Sequence, residues 1–198
     1  LIVHEAIADE FLGAVKALTT KVTVGDPLDD RTKVGAMISA DHVTKVTGYV
    51  TAAENDGSRI YCGGKQLASS AGQYLDPTII RDVTEDMAIA REEVFGPVLS
   101  VLTFGSIERA LHIANNTPYG LSAGVWSASI DTCMSVARNM RSGTVWVNTF
   151  MEGYPELPFG GYKQSGLGRE LGKRAVEDYT EEKTIQFHRG QRTGWWVG

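Results

Sequence analysis

The chain has 198 residues, 42% of them apolar and 22% charged, which allows one hydrophobic core and is ordinary for a globular protein. Acidic residues outnumber basic ones by 24 to 19, a formal net charge of -5, and no block of like charges stands out, so the basic footprint of a nucleic-acid binder is missing. No apolar run reaches the length of a bilayer span, no basic leader precedes an apolar stretch, and Cys62 and Cys133 have neither metal-type nor redox-type spacing, which fits a reducing cytoplasm.

Residues 1–4 (LIVH) read as a buried strand with no approach segment, so upstream sequence is expected to be missing. Apolar spacing at Ile7, Phe11, Val15 and Leu18 predicts a helix with that stripe inward, ended by the loop Gly25-Asp26-Pro27. A second helix is expected over 41–53, with Ser39 as its cap and Val43, Val46, Val50 and Ala53 on one side. Short strands follow at 59–62 and 76–80, then a Val/Leu-rich buried strand at 97–103. Ser106 caps a helix whose inner face is Ile107, Ala110, Leu111 and Ala114. After the turn at 116–120 come a strand at 123–126, a helix at 130–140 with Ile130, Met134 and Ala137 inward, and a strand at 144–148. Gly143 reads as the C-terminal stop of that helix. The alternation over 58–148 implies an α/β fold, a mainly parallel sheet covered by helices.

From 149 to 168 the alternation gives way to a long irregular loop rich in glycine and proline, a form that usually carries function. A short helix near 169–175 and a last strand at 183–188 complete the chain. The glycine-rich string 158–170 is a poor dinucleotide fingerprint: no strand precedes it, and Leu171 stands at the third glycine position. By pattern alone it is a structural loop. The segment 91–97 (REEVFGP) sets two carboxylates and an aromatic ring immediately before a strand, and by itself reads as an exposed acidic turn with Phe95 in the core. Cys62 and Cys133 read as inert packing residues, and the four histidines show no metal-ligand spacing.

Five segments in order, VGDP at 24–27, EEVFGPV at 92–98, NNTPYGLS at 115–122, SGTVWVN at 142–148 and PFGGYKQSG at 158–166, resemble the C-terminal part of the aldehyde dehydrogenase superfamily. The resemblance implies an NAD(P)-dependent oxidation of an aldehyde to a carboxylic acid through a cysteine thiohemiacetal and thioester, with water activated by a glutamate. It implies that Glu93 binds the nicotinamide ribose hydroxyls and that Phe95 packs beside the nicotinamide. Lys45 and His42 fall among variable adenosine-side contacts. Phe159, Phe150 and Tyr154 line the substrate mouth, where Glu152 and Glu156 beside aromatics would suit a cationic betaine- or amino-aldehyde. Arg169 and Glu181 match a charged pair near a subunit interface, and 183–188 matches the terminal strand of an oligomerisation arm, so a homo-oligomer is expected.

The family's nucleophilic cysteine falls just upstream of Leu1, and its general-base glutamate and cofactor domain lie further upstream, so this chain alone is expected to be inactive. No metal is implied. The organisation expected is a partial catalytic domain at 1–180 and an oligomerisation strand with tail at 181–198. A catalytically dead structural or interaction protein on the same fold, and an independent nucleotide-binding module, are the alternatives.

Overall fold

Runs of β-branched residues bounded by glycine and proline give the strands their places, and serine caps start the helices that cross between them. The computed structural model describes residues 1–68 and 72–190. In chain order the elements are β1 (Ile2–His4), a 3-10 turn (Glu5–Ile7), α1 (Ala8–Thr19), α2 (Ala40–Asn55), β2 (Arg59–Cys62), β3 (Gln66–Leu67), β4 (Tyr74–Leu75), β5 (Thr78–Arg81), α3 (Ala88–Arg91), β6 (Val98–Ser100), β7 (Leu102–Phe104), α4 (Ile107–Asn115), β8 (Ser122–Val125), α5 (Ile130–Asn139), β9 (Thr144–Val147), a second 3-10 turn (Lys163–Ser165) and α6 (Gly172–Asp178). The expected α/β class with parallel pairing is found: β1 with β7, β5 with β6 and β8 with β9 run parallel, while β2 joins β5 and β3 joins β4 antiparallel.

The centre is β5, buried on both faces as a strand between helix layers must be. Ile79 points into a cluster with Val3, Ala8, Leu12 and Val101, beneath α1. Ile80 points the other way, among Val50, Ala53, Ile89, Leu102 and Ile113 of α2, α3, β7 and α4. Removing a side chain such as Ile80 would cost about 2–5 kcal/mol, because the close-packed surroundings cannot fully collapse into the space.

Several local expectations hold. Ser39 and Ser106 each accept a hydrogen bond from the backbone N–H three residues on, at 3.1 and 3.2 Å, and Ser129, which was not expected as a cap, does the same at 3.2 Å. The expected inner face of α2 is also found: Val43, Val46, Val50 and Ala53 are all buried.

Others need correction. The strand expected at 97–103 is two strands, since the chain changes partner at Val101: β6 pairs with β5, whereas β7 pairs with β1. On α1 the buried residues are Ala8 and Leu12; of the expected stripe Val15 is half-buried against the same cluster, while Ile7, Phe11 and Leu18 are exposed. A 3-10 turn leads into α1, and Leu12 packs with Val3, Ile79 and Val101 of the strands. On α5 Ile130 and Met134 are exposed, and the fully buried side chain is Cys133. That helix ends at Met140 in an extended conformation, without help from Gly143. The last helix lies at Gly172–Asp178, later than expected.

No strand forms over 183–188; Ile185 and Phe187 are each 81% exposed. A β-strand is stabilised by a neighbour, and none lies beside this segment among the described residues. Part of the expected tail, residues 191–198, lies outside the described residues. Among the described residues no helix is long and apolar enough to cross a membrane.

Candidate cofactor-contact site

The acidic loop between α3 and β6 is gripped from one side by α2. Three α2 residues at helical spacing, His42, Val46 and Tyr49, share the face that meets it. The Tyr49 hydroxyl donates to Glu92 Oε2 at 2.6 Å. This bond to the carboxylate, followed by partial burial and the negative charge of Glu92, raises the Tyr49 pKa and keeps the phenol protonated. His42 Nε2 lies 2.7 Å from the Phe95 carbonyl oxygen. A carbonyl only accepts, so the bond fixes the ring as the tautomer carrying its proton on Nε2. Gly96 passes over Val46 so closely that an added Cβ would meet Val46 methyl carbons at 2.9 Å. Val94 turns inward onto the core.

With both neighbours tied down, Glu93 and Phe95 project outward. Glu93 is exposed, and its carboxylate has no hydrogen bond or ion pair among the described residues. Phe95 is 74% exposed with φ of +56°, a left-handed backbone that a bulky residue adopts only when its surroundings hold it there. The expectation that an aromatic ring here packs in the core is therefore corrected: Val94 fills that role. The His42 ring meets the Phe95 ring edge-on at 6.2 Å. Lys45 sits with its ammonium 5.9 Å from the centroid of the Tyr49 ring.

The glycine-rich loop is used differently. Gly120 forms its junction with the β8–β9 pair: its carbonyl accepts from Gly143 N at 3.1 Å and Tyr162 N at 2.8 Å, and its N–H donates to Ser165 Oγ at 2.9 Å. Gly143 faces the Gly160 carbonyl with no room for a Cβ, which explains a glycine that sequence reading assigned to a helix end. Lys163 donates to the carbonyls of Asn115 and Thr117 at 2.9 and 3.1 Å, and burial followed by repulsion from Arg141 pushes its pKa down. Arg169 donates to the carbonyls of Gly161 and Gly168 at 3.0 and 2.6 Å and lies 5.4 Å from the centroid of the Tyr162 ring. It forms no pair with Glu181 in the chain; Glu181 is exposed, and Arg169 is already engaged by the loop's own carbonyls.

Phe150 packs against two tryptophans, 5.2 Å from Trp146 and 6.4 Å from Trp126 between ring centroids, and the Trp146 indole N–H donates to the Glu152 carbonyl at 2.6 Å. Tyr154 is exposed, and among the described residues it makes no ring contact with Phe150 or Phe159. Phe159 pairs its backbone with Glu170 at 2.8 and 2.7 Å and borders an open hollow of about 810 Å³ that also touches Arg169, Leu171 and Tyr179. Glu93 and Phe95 are both exposed on one loop, and among the described residues Phe150, Tyr154 and Phe159 make no ring contact with one another.

Sequence reading missed Tyr49 and Glu92 as the loop's anchors, because 43 residues separate them. It also missed Asn148, which exchanges two 3.0 Å hydrogen bonds with the Ser127 backbone, and Asn115, whose side chain joins Arg141 N and the Asn139 carbonyl. Asparagine after a strand or at a helix end was the available signal, since the residue tolerates left-handed backbone and bonds locally. Cys62 and Cys133 behave as packing residues; the fully buried Cys133 thiol donates to the Ser127 carbonyl at 3.7 Å. Among the described residues no cluster of His, Cys, Asp or Glu could hold a metal ion.

Comparison with known proteins gives the site its context. The sequence profile described as "Aldehyde dehydrogenase family" matches residues 1–185. A betaine aldehyde dehydrogenase of Bacillus subtilis is 43% identical over 188 residues, which cover 93% of this chain and 38% of that protein. An NAD-dependent aldehyde dehydrogenase from Sinorhizobium meliloti superposes with a TM-score of 0.93 at 46% identity, covering all of this chain and 39% of the other. An indole-3-acetaldehyde dehydrogenase of P. syringae, solved in complex with NAD+, superposes with a TM-score of 0.88 at 46% identity, over 91% of this chain and 37% of the other. The chain therefore spans about two fifths of the length of the relatives it matches. With the profile running through nearly all of the described residues and the backbone superposing on solved members, the chain belongs to the aldehyde dehydrogenase family.

Proposed function

We propose that this chain is the cofactor-contacting, C-terminal part of an oxidoreductase that converts an aldehyde to a carboxylic acid with NAD(P)+. In this reading residues 1–180 belong to the catalytic domain and residues 181–198 to an oligomerisation tail. The nucleophilic cysteine, the general-base glutamate and most of the cofactor domain belong to polypeptide upstream of Leu1, so the isolated chain has no turnover. The reducing cytoplasm is the compartment in which such a thiolate would persist.

One observation carries the reading: Glu93, with an unpartnered carboxylate, and Phe95, with an exposed ring, are both left outward on one loop whose backbone is pinned. A carboxylate accepts two O–H bonds at once, which suits the paired hydroxyls of a ribose, and a flat apolar ring beside it suits a heteroaromatic base. Bound there, a nicotinamide dinucleotide would supply the hydride acceptor. Glu93 would hold the ribose in one orientation and Phe95 would shield one side of the ring from water. Orientation of this kind raises rate by making the reactive geometry the resting one.

In the full-length enzyme Glu93→Ala should raise the KM for NAD+ and lower kcat/KM by about 100-fold, the effect of losing two hydrogen bonds to a charged group. It should leave the melting temperature unchanged, because the carboxylate supports nothing within the fold. Unchanged cofactor kinetics would refute the assignment.

For the substrate, the Phe150 ring against Trp146 and Trp126, with Glu152 and Glu156 nearby in sequence, favours a cationic aldehyde, and a betaine aldehyde dehydrogenase is among the relatives. A higher kcat/KM on betaine aldehyde than on a neutral aliphatic aldehyde would support this, and equal values would remove it. The alternating pattern of Ile185 and Phe187, both exposed, supports pairing of this segment with another subunit in a homo-oligomer.

A further inference from the structure

We propose that Tyr49 and His42 are positioning residues for the cofactor, acting through Glu93 by clamping its loop to helix α2. The proposal rests on the ribose-binding reading of Glu93 given above.

The loop has two attachment points on one helix face, and Glu93 lies between them. At one end the Tyr49 hydroxyl holds the Glu92 carboxylate at 2.6 Å; at the other His42 Nε2 holds the Phe95 carbonyl at 2.7 Å. Between these points Val94 packs against the core, and just beyond the second Gly96 is seated on Val46. Glu92 therefore differs from Glu93 by one position and by function: its charge is taken up by α2, whereas that of Glu93 is left for a ligand. The left-handed backbone at Phe95 is the consequence, since Val94 must face the core while the Phe95 carbonyl turns to His42. A loop held at one point would swing about it. Held at two, it presents Glu93 in a single place, and binding need not order it first.

Hydrogen bonds reaching a charged or strained group affect equilibria by severalfold when partly exposed to water. In the full-length enzyme Tyr49→Phe and His42→Ala should each raise the KM for NAD+ about threefold to tenfold, with a smaller fall in kcat. Glu92→Leu should match Tyr49→Phe, because it removes the same bond from the other side. Glu92→Gln keeps an oxygen that accepts from Tyr49 and should retain more cofactor affinity than Glu92→Leu.

The decisive measurement is the double variant. If Tyr49 acts by placing Glu93, Tyr49→Phe should have no effect on the KM for NAD+ in a Glu93→Ala background. A Tyr49→Phe effect of equal size in both backgrounds would overturn the proposal and make Tyr49 a general packing residue. So would a normal KM for both clamp variants in an enzyme where Glu93→Ala is severe. A normal KM for Glu93→Ala itself would overturn the ribose assignment as well, so the two failures are told apart.

Discussion

The acidic loop at 92–97 and the glycine-rich loop at 158–170 are two of the five motif-bearing segments of this chain, and they spend their polar groups in opposite ways. In the second loop Lys163 and Arg169 each give hydrogen bonds to two backbone carbonyls, and Gly120, Gly143 and Gly160 bring three backbones together. Its chemistry is consumed in holding itself against β8 and β9. In the first loop the neighbours are anchored, while Glu93 and Phe95 are left outward and unsatisfied. A group that the fold does not use is available to a ligand, and this matters more than the density of glycines or charges in a motif.

The contrast breaks or sharpens under substitution. The largest effect on the fold is expected at Gly143→Ala, whose methyl group would collide with the Gly160 carbonyl. Overpacking against a backbone that cannot step aside should cost about 3 kcal/mol, read as a lower denaturation midpoint in urea. A variant as stable as wild type would show that the loop junction is looser than the geometry requires.

Lys163→Met should cost less, roughly 1 kcal/mol, since the carbonyls of Asn115 and Thr117 lose an ammonium donor but retain access to water. Cofactor KM should not move, in contrast to Glu93→Ala. A rise in cofactor KM without loss of stability would reverse the roles given to the two loops.

The smallest effect is expected at an ion pair outside both loops. Burial alone would raise the Asp82 pKa, but bonds from Arg59 at 2.6 Å and Arg81 at 3.3 Å outweigh it and hold the carboxyl below its ordinary value. A lowered folded-state pKa means stability that is present above the unfolded value near pH ~4 and lost as pH falls through the folded one. Asp82→Asn keeps the left-handed backbone, φ +62°, that asparagine tolerates. It should cost a few tenths of a kcal/mol at neutral pH, the exposed ends of the pair being screened by water, and progressively less as pH falls through the folded-state value. A cost that persists unchanged in acid would show that the charge of Asp82 is irrelevant.

Much of the fold was legible in sequence. Ser39 and Ser106 mark helix starts through a bond that depends only on residues three positions on. The valines of α2 at helical spacing reported its buried face correctly. The same logic held on α1 only for Val15, which packs against the core, while Ile7, Phe11 and Leu18 of the expected stripe are exposed and Leu12 is buried. An apolar residue does not announce what it will face. The strand expected at 183–188 is not formed within the single chain, since pairing requires a neighbour and the expected one belongs to another subunit.

Sequence by itself determined the α/β class, the starts of the main helices and the family, because these follow from local bonding, apolar period and ordered motifs. Tertiary structure alone decided that Val94 rather than Phe95 enters the core, that Glu92 is bound while Glu93 is free, and that Gly143 serves a backbone crossing and no helix end. Each of those outcomes is set by a partner more than ten residues away, and no local pattern encodes which distant surface a side chain will meet.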